Sequence, residues 1–552
     1  MHACRPRQSV KLILTIFFSV ALICAAFGGR AGGAQGSVGR ELSPQEKRGK
    51  QIYLKGESPD GAEIKTLLGT DKLEVPANAF ACANCHGLRG QGASEGGLQP
   101  PPVNWETLVA PHTSALTRRE RAPYTEATLA RAIRTGLDPS GARLHPGMPQ
   151  YELTPAQMAD LIAYLKQLGK EVDADPGIDD KRIKLGAALP LTGALAQVGE
   201  DVKATLTAYL AEVNAQGGIY GRRIDLVVVD SRGEPAATLA ATERLVEREG
   251  VFALVASFEA GATTAMNDYL KRQEIALVGP VTLSPRLSVP PNPFIFYLLP
   301  TFTDQARALV DFAAAKFTER PPRVAVISSD NEFDADALAG FRSQAKLYPM
   351  QIVSEETYET GATGATGATV GFRVEKMIEM IAQKKPDAIF FFGSAEQFAQ
   401  LTRAMTAAKL SAALFSSVVM IGHSAFDAPA SLAPQIFLAY PAALPGADDF
   451  TEFVNAMHKG NVRLSSPAFQ AVAYGAAKTF VEAAKSSGRQ LSRSALLASL
   501  EGLRDFKTGV VPPLTFGANR RVGASGCYIV GVDLNRKQYI PFGARLVPKE
   551  KK

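Results

Sequence analysis

Cysteine is scarce in this chain of 552 residues, and two of its five cysteines, Cys4 and Cys24, lie in an opening segment of separate character. The three that remain, Cys82, Cys85 and Cys527, are too few for a disulfide scaffold. Long apolar runs are also missing. The run at Leu12–Phe27 is shorter than the ~20 residues that cross a bilayer, and no later segment is long and apolar enough to do so. Strong charge is absent as well: residues 1–34 hold four Arg or Lys and no acid, which takes the formal +6 down to +2 beyond them. With no basic run past the brief "RRER" at Arg118–Arg121, the sequence offers no footprint for nucleic acid or an anionic lipid surface.

What is present begins with Arg5, Arg7 and Lys11 ahead of the apolar run, followed by small residues to Ala34. This pattern predicts a secretory signal peptide over residues 1–34, and hence a periplasmic mature chain with no membrane span. Ile23 before Cys24 argues against a lipoprotein, where a small residue is expected. The length is too great for one core and predicts three or four compact units.

The stretch "FACANCHGLRGQG", Phe80–Gly92, carries Cys82, Cys85 and His86 as C-x-x-C-H. Two thiols two residues apart can reach both vinyl groups of one porphyrin, and the next residue then offers an imidazole to the iron. A zinc site needs a second ligand pair, and beyond the opening segment no other cysteine lies in this half of the chain. A redox dithiol of thioredoxin type needs a surrounding βαβ pattern, which is missing here. For the sixth iron position the sequence offers Met148 in the turn Gly147-Met148-Pro149, with His145 as its rival. Thr154-Pro155 then opens a helix with Met158, Leu161, Ile162, Leu165 and Leu168 at helical spacing.

Residues 39–170 resemble a class I cytochrome c domain, on the strength of "CANCHG", the "GMPQY" loop, the closing "LIAYLKQL" and the opening "SPQEKRGKQIYLKG" with Gly49 and Tyr53. The resemblance implies an all-α domain with one haem c covalently bound to Cys82 and Cys85, and His86 and Met148 as axial ligands. It also implies a backbone carbonyl near Pro101, in "GGLQPPPVNW", that receives the His86 N–H. Trp105 is expected in the core beside the haem. The departure is "ESPDGAEIKTLLGTDKLEVPANAF", Glu57–Phe80, where typical members are shorter. Two protein ligands on the iron imply one-electron transfer and no enzyme activity.

After a polar linker at residues 171–182, apolar strands such as "RIKLGAALPL", "RIDLVVVD", "RVAVISSD" and "DAIFFFG" alternate with amphipathic helices. This alternation predicts α/β lobes built on parallel sheets. Residues 183–547 resemble the periplasmic solute-binding proteins of type I, the Leu/Ile/Val-binding proteins of ABC importers. The resemblance rests on the P-L-T-G turn at Pro190–Gly193, the turn "NAQGGIYG" and Asp230 at a strand end. It implies two lobes that close on a small molecule. Onto the family's ligand loops fall Ala260 and Gly261 in "SFEAGATTA", Thr282 and Ser284 in "GPVTLSP", and Phe333 in the second lobe.

In the family such loops open helices and offer hydroxyl and backbone N–H groups to a ligand carboxylate, so the resemblance implies a carboxylate-bearing solute. Amino-acid binders of the family commonly place a carboxylate for the ligand ammonium in a later loop, which reads here "FSSVVMIGHS" with no acid, so the resemblance implies a solute other than a standard amino acid. The tract "TGATGATGATVG" at Thr360–Gly371 reads as a surface loop, and Cys527 as a buried strand cysteine. The reading is thus a periplasmic cytochrome c fused to a solute receptor, binding a small molecule and carrying single electrons. Its alternatives are an importer receptor docking on an ABC permease with an accessory haem domain, and an electron-accepting subunit of a periplasmic dehydrogenase.

Overall fold

The computed structural model describes residues 42–87, 89–92, 100–113, 120–170, 173–259, 261, 263–282, 285, 287–359, 372–444 and 448–550. The expected signal peptide, Ala260, Ser284 and the Thr360–Gly371 tract lie outside them. No described helix is long and apolar enough to cross a membrane. The chain divides after Asp173 into two units.

In chain order the first unit holds helix α1 (Pro44–Lys55), strands β1 (Lys65–Leu68) and β2 (Leu73–Pro76), and helices α2 (Cys82–His86) and α3 (Glu126–Thr135). Strand β3 (Gln150–Glu152) and helix α4 (Pro155–Leu165) follow. Ser43 and Glu46 cap α1 reciprocally, as Thr154 and Gln157 cap α4. Gly49, Ile52 and Tyr53 lie on the buried face of α1, and Gly49 approaches the Asp160 backbone in α4. Tyr53 and Tyr164 pair their rings at 5.6 Å.

The expectation of an all-α domain is corrected here. Strands β2, β1 and β3 form an antiparallel three-stranded sheet in that order, with Thr66 opposite both Val75 and Tyr151. The extra segment after α1 supplies the hairpin β1–β2, turning at Gly69–Lys72 with positive φ at both of those residues. A lone hairpin is marginal in water. Pairing with β3 completes it and joins the insertion to the chain directly after Met148.

The linker expected at 171–182 is folded at both ends where described. Asp173 accepts hydrogen bonds from Tyr164 Oη and Gly169 N within the first unit. Asp175 accepts one from Arg493 N within the second.

The second unit is α/β and two-lobed. Its first lobe runs through β4 (Arg182–Leu189), α5 (Ala196–Ala215), β5 (Arg223–Asp230), β6 (Ala253–Val255), α6 (Thr263–Gln273), β7 (Leu277–Val278) and β8 (Ile295–Phe296). These five strands are parallel in the order β8-β7-β6-β4-β5. The second lobe contains β9 (Arg323–Ser329), α7 (Glu332–Ala345), β10 (Gln351–Tyr358), β11 (Ala388–Phe392), β12 (Ala413–Ser417) and β13 (Ile436–Tyr440). The chain then returns to the first lobe, where α8 (Pro467–Ser486) buries Ala473, Tyr474 and Phe480 in one core with Leu185 and Leu206.

Antiparallel strands β14 (Tyr528–Asp533) and β15 (Gln538–Pro541) complete the second sheet in the order β10-β9-β11-β12-β13-β14-β15. The chain therefore passes between the lobes three times, which makes a multi-strand hinge. Cys527 is fully buried and bridges to Leu546 just before β14.

Candidate haem site and ligand cleft

Cys82, Cys85 and His86 sit together on the single short helix α2. Residues three and four apart share a helix face, which relates Cys82 to both Cys85 and His86; Cys85 is exposed, Cys82 half-buried and His86 buried. Neither thiol is engaged in a disulfide. His86 is buried at 7 % exposure, and its Nδ1 lies 2.9 Å from the Pro101 carbonyl oxygen. An Nδ1–H donated to that carbonyl leaves Nε2 as the free ligand atom. Burial lowers the pKa of this imidazole, against an opposing pull from the Pro101 carbonyl, so the ring is kept neutral as a metal ligand must be.

Met148 is half-buried against the apolar cluster that holds Ile52, Leu129, Ile133 and Leu161, as are Cys82 and Trp105. His145 is exposed, and its Nδ1 accepts a hydrogen bond from Gly147 N at 3.0 Å. The Tyr53 hydroxyl donates to the Gly87 carbonyl at 2.7 Å and so ties α1 to the end of the C-x-x-C-H helix. The Tyr151 hydroxyl donates to the Phe80 carbonyl just before it. This donor set, two free thiols, a neutral buried imidazole and a thioether in an apolar wall, fits a covalently held haem. Trp105 stands further out than expected, with the Lys166 ammonium 5.3 Å from its ring centroid.

In open parallel sheets a ligand sits outside the strand C-termini, where the strand order reverses. In the first lobe that point lies between β4 and β6, and in the second between β9 and β11. The loop after β4 is held by Asp230 at the end of β5. Its carboxylate accepts from Leu191 N at 2.9 Å, Thr192 N at 3.3 Å and Thr192 Oγ1 at 2.7 Å. Gly193 in this turn has φ +82°, which disfavours other residues. Desolvation raises the Asp230 pKa, but the bonds from Thr192, Arg232 and Leu191 outweigh it, and the net shift is downward from 3.8.

A carboxylate so depressed contributes stability that is complete above about pH 4 and is lost as pH falls through its folded-state value. Asp230→Ala is expected to cost about 1–2 kcal/mol in urea unfolding at pH 7. The difference from the parent should shrink on acidification; a constant difference would mean that the loop is held by other contacts.

The loop after β6 places Gly261 exposed with φ +78°. Thr282, after β7, is half-buried. In the second lobe Asn331 caps α7 by accepting from Phe333 N and Asp334 N, which sets the half-buried Phe333 ring 6.1 Å from Phe302. Gly261 and Thr282 thus gather at the strand ends of the first lobe, and Phe333 belongs to the second. Sequence reasoning passed over two acids at these edges. Glu259 is 1 % exposed and Asp334 4 % exposed; the pKa of Asp334 is raised by burial against bonds from Ser329 and Asn331. Glu259 stands in the quoted "SFEAGATTA", where an acid directly after a buried strand was the available signal.

Comparison with known proteins agrees with both units. A family model described as periplasmic binding protein matches residues 182–538, and one described as cytochrome c matches residues 62–169. The chain is 22 % identical over 211 residues to the Leu/Ile/Val-binding protein BraC3 of Rhizobium johnstonii, covering 38 % of this chain and 54 % of that protein. The matched stretch therefore spans about half of that relative's length. Among solved structures, the fatty acid ABC transporter substrate-binding protein from Thermomonospora curvata superposes with a TM-score of 0.51 at 20 % identity, covering 68 % of this chain and 94 % of the other. The branched-chain amino acid ABC transporter protein from Thermus thermophilus with bound valine gives 0.51 at 16 % identity, covering 67 % and 97 %. The chain belongs to the periplasmic binding protein family, in its type I branch, and carries a cytochrome c domain, a kind of domain that implies covalently bound haem c, ahead of its two α/β lobes.

Proposed function

We propose that this protein is a periplasmic receptor and electron carrier, exported by a signal peptide at residues 1–34. A small aliphatic carboxylate binds between its two α/β lobes, and single electrons pass through one haem c. Cys82 and Cys85 hold that haem, and His86 and Met148 are its axial ligands. The group supplies one-electron transfer when bound, at a potential raised by Met/His ligation relative to bis-histidine ligation. The 2.9 Å approach of His86 Nδ1 to the Pro101 carbonyl carries this half of the reading, because it orients a neutral imidazole with Nε2 free. In the lobes, Gly261, Thr282 and Phe333, with Ala260 and Ser284 beside them in sequence, are the proposed ligand contacts.

The names of similar proteins support the solute class. A fatty acid and valine share an aliphatic body and a carboxylate, and differ by the ammonium. The missing acid in "FSSVVMIGHS" favours the ligand without the ammonium. Mass spectrometry of the exported protein is expected to find one haem per chain, lost in Cys82→Ala/Cys85→Ala. Solute extracted from the purified chain and added back should reduce the radius of gyration as the lobes close. An extracted solute that binds without compaction would count against closure. The ABC transporter relatives favour a second reading, delivery to a permease; solute uptake that depends on this protein and survives loss of the haem cysteines would establish it.

A further inference from the structure

Glu259 is the most deeply buried acid at the strand ends of the first lobe. The ladder between β6 and β7 runs on through a bridge from Phe258 to Val281, and Glu259 N donates to the Val281 carbonyl at 3.2 Å. The side chain of Glu259 therefore starts where the sheet stops, beside Thr282. Its Oε1 accepts from the Tyr297 hydroxyl, which follows β8, at 2.9 Å. The Thr282 hydroxyl is a second donor to the same carboxyl. Oε2 is buried and has no hydrogen-bond partner among the described residues. Three adjacent strand ends thus converge on one carboxyl with one oxygen satisfied and the other bare. Buried polar atoms in folded proteins are rarely left so, and an exception calls for an explanation.

We propose that Glu259 is a solute-recognition group of the first lobe, holding a proton on Oε2 and donating it in a hydrogen bond to the carboxylate of the ligand. The proposal rests on the receptor reading above and gives that reading its head-group chemistry. No covalent bond changes: two carboxyl groups share one proton, with the negative charge left on the pair. The surroundings favour the neutral acid. Burial raises its pKa from 4.5 to about 7, with the Tyr297 and Thr282 hydroxyls pulling the other way. Tyr297 is the titratable group facing it, and burial together with Glu259 keeps that phenol protonated. Among the described residues, the side chains that act on Glu259 are the neutral Tyr297 and Thr282 hydroxyls. An ionised Glu259 would repel an anionic solute, whereas a protonated one supplies a hydrogen-bond donor to it.

The test uses the full haem-loaded chain and four probes on one branched skeleton: isovalerate, isovaleramide, leucine and isoamylamine. Calorimetry from pH 6 to 9 is expected to find isovalerate bound, its affinity falling about tenfold per pH unit once Glu259 ionises above about pH 7. Glu259→Gln keeps a donor at the same place, so it should bind isovalerate at both ends of the range with the pH slope removed. Glu259→Ala should bind at least about tenfold more weakly at pH 6. Thermal melts of both variants establish that they are folded.

Binding of leucine or isoamylamine without isovalerate would overturn the proposal, because Glu259 would then be ionised against an ammonium, and the receptor reading would survive. A parental pH slope in Glu259→Gln would overturn it too. If none of the four probes binds, the proposal fails as stated, and the extraction and scattering experiment decides the receptor reading separately.

Discussion

Replacing Met148 with alanine is expected to leave the haem covalently attached, to remove the weak far-red absorption of methionine–iron ligation, and to lower the midpoint potential. The fall should be on the order of 0.1 V or more, within the span of about 0.8 V that axial ligands command. Met148 is the better ligand candidate on three grounds. It lies in the apolar wall with Cys82, whereas His145 is exposed and has spent Nδ1 on Gly147 N. Pro149 fixes its own φ and biases Met148 toward extended backbone. The chain then enters β3, where Gln150, Tyr151 and Glu152 pair with Leu67, Thr66 and Lys65 of the inserted hairpin. The thioether is therefore presented from a loop anchored on its C-terminal side by a sheet. His145→Ala should change neither band nor potential. The reverse pattern, with His145→Ala losing ligation and Met148→Ala keeping it, would reassign the ligand.

That hairpin also shows where reading the sequence runs out. Covalent haem attachment fixes residue type and spacing within five consecutive positions, so Cys82, Cys85 and His86, the proposed attachment and ligand residues, can be picked out without any fold. Strands β4, β9 and β11 are legible for another reason: burial on both faces writes them as continuous apolar runs, as in "AIFFF" of β11. Strands β1, β2 and β3 carry no such mark. They are "KTLL", "LEVP" and "QYE", three or four residues of mixed polarity whose pairing brings Thr66 together with Tyr151 across 85 positions of sequence. Only tertiary contact makes them strands.

The lobe edges fail in a different way. Asp230 reads correctly as a strand end, because its partners Leu191 and Thr192 belong to a recognisable turn. Glu259 reads as an ordinary loop acid, because nothing local announces that Tyr297 and Thr282 close over it from two other strands.

The largest loss of stability is expected from Gly49→Ala, by a route that the sequence alone only hints at. Alanine is the better helix former by about 1 kcal/mol, so in an isolated α1 the substitution would stabilise. In the folded unit, an added Cβ would lie 2.0 Å from the Asp160 carbonyl oxygen and 2.7 Å from Tyr164 Cβ, both fixed parts of α4. No rotamer change relieves an overlap with backbone, so the two helices must move apart. Their crossing is pinned on either side of the contact. Arg48 clasps the Asp160 carboxylate through two bonds, at 2.7 and 2.9 Å, and Tyr53 packs on Tyr164 while its hydroxyl holds the Gly87 carbonyl. Separation strains these contacts together and slackens the tether to the end of the haem helix. Overpacking of this kind costs about 3 kcal/mol or more, well above the helix-propensity gain. The single tryptophan, Trp105, lies in the first unit, so its fluorescence follows that unit's unfolding without a tryptophan signal from the second. A guanidinium titration should show the tryptophan transition of Gly49→Ala at a clearly lower midpoint than that of the parent. An unchanged or raised midpoint would mean that α1 and α4 do not cross at Gly49.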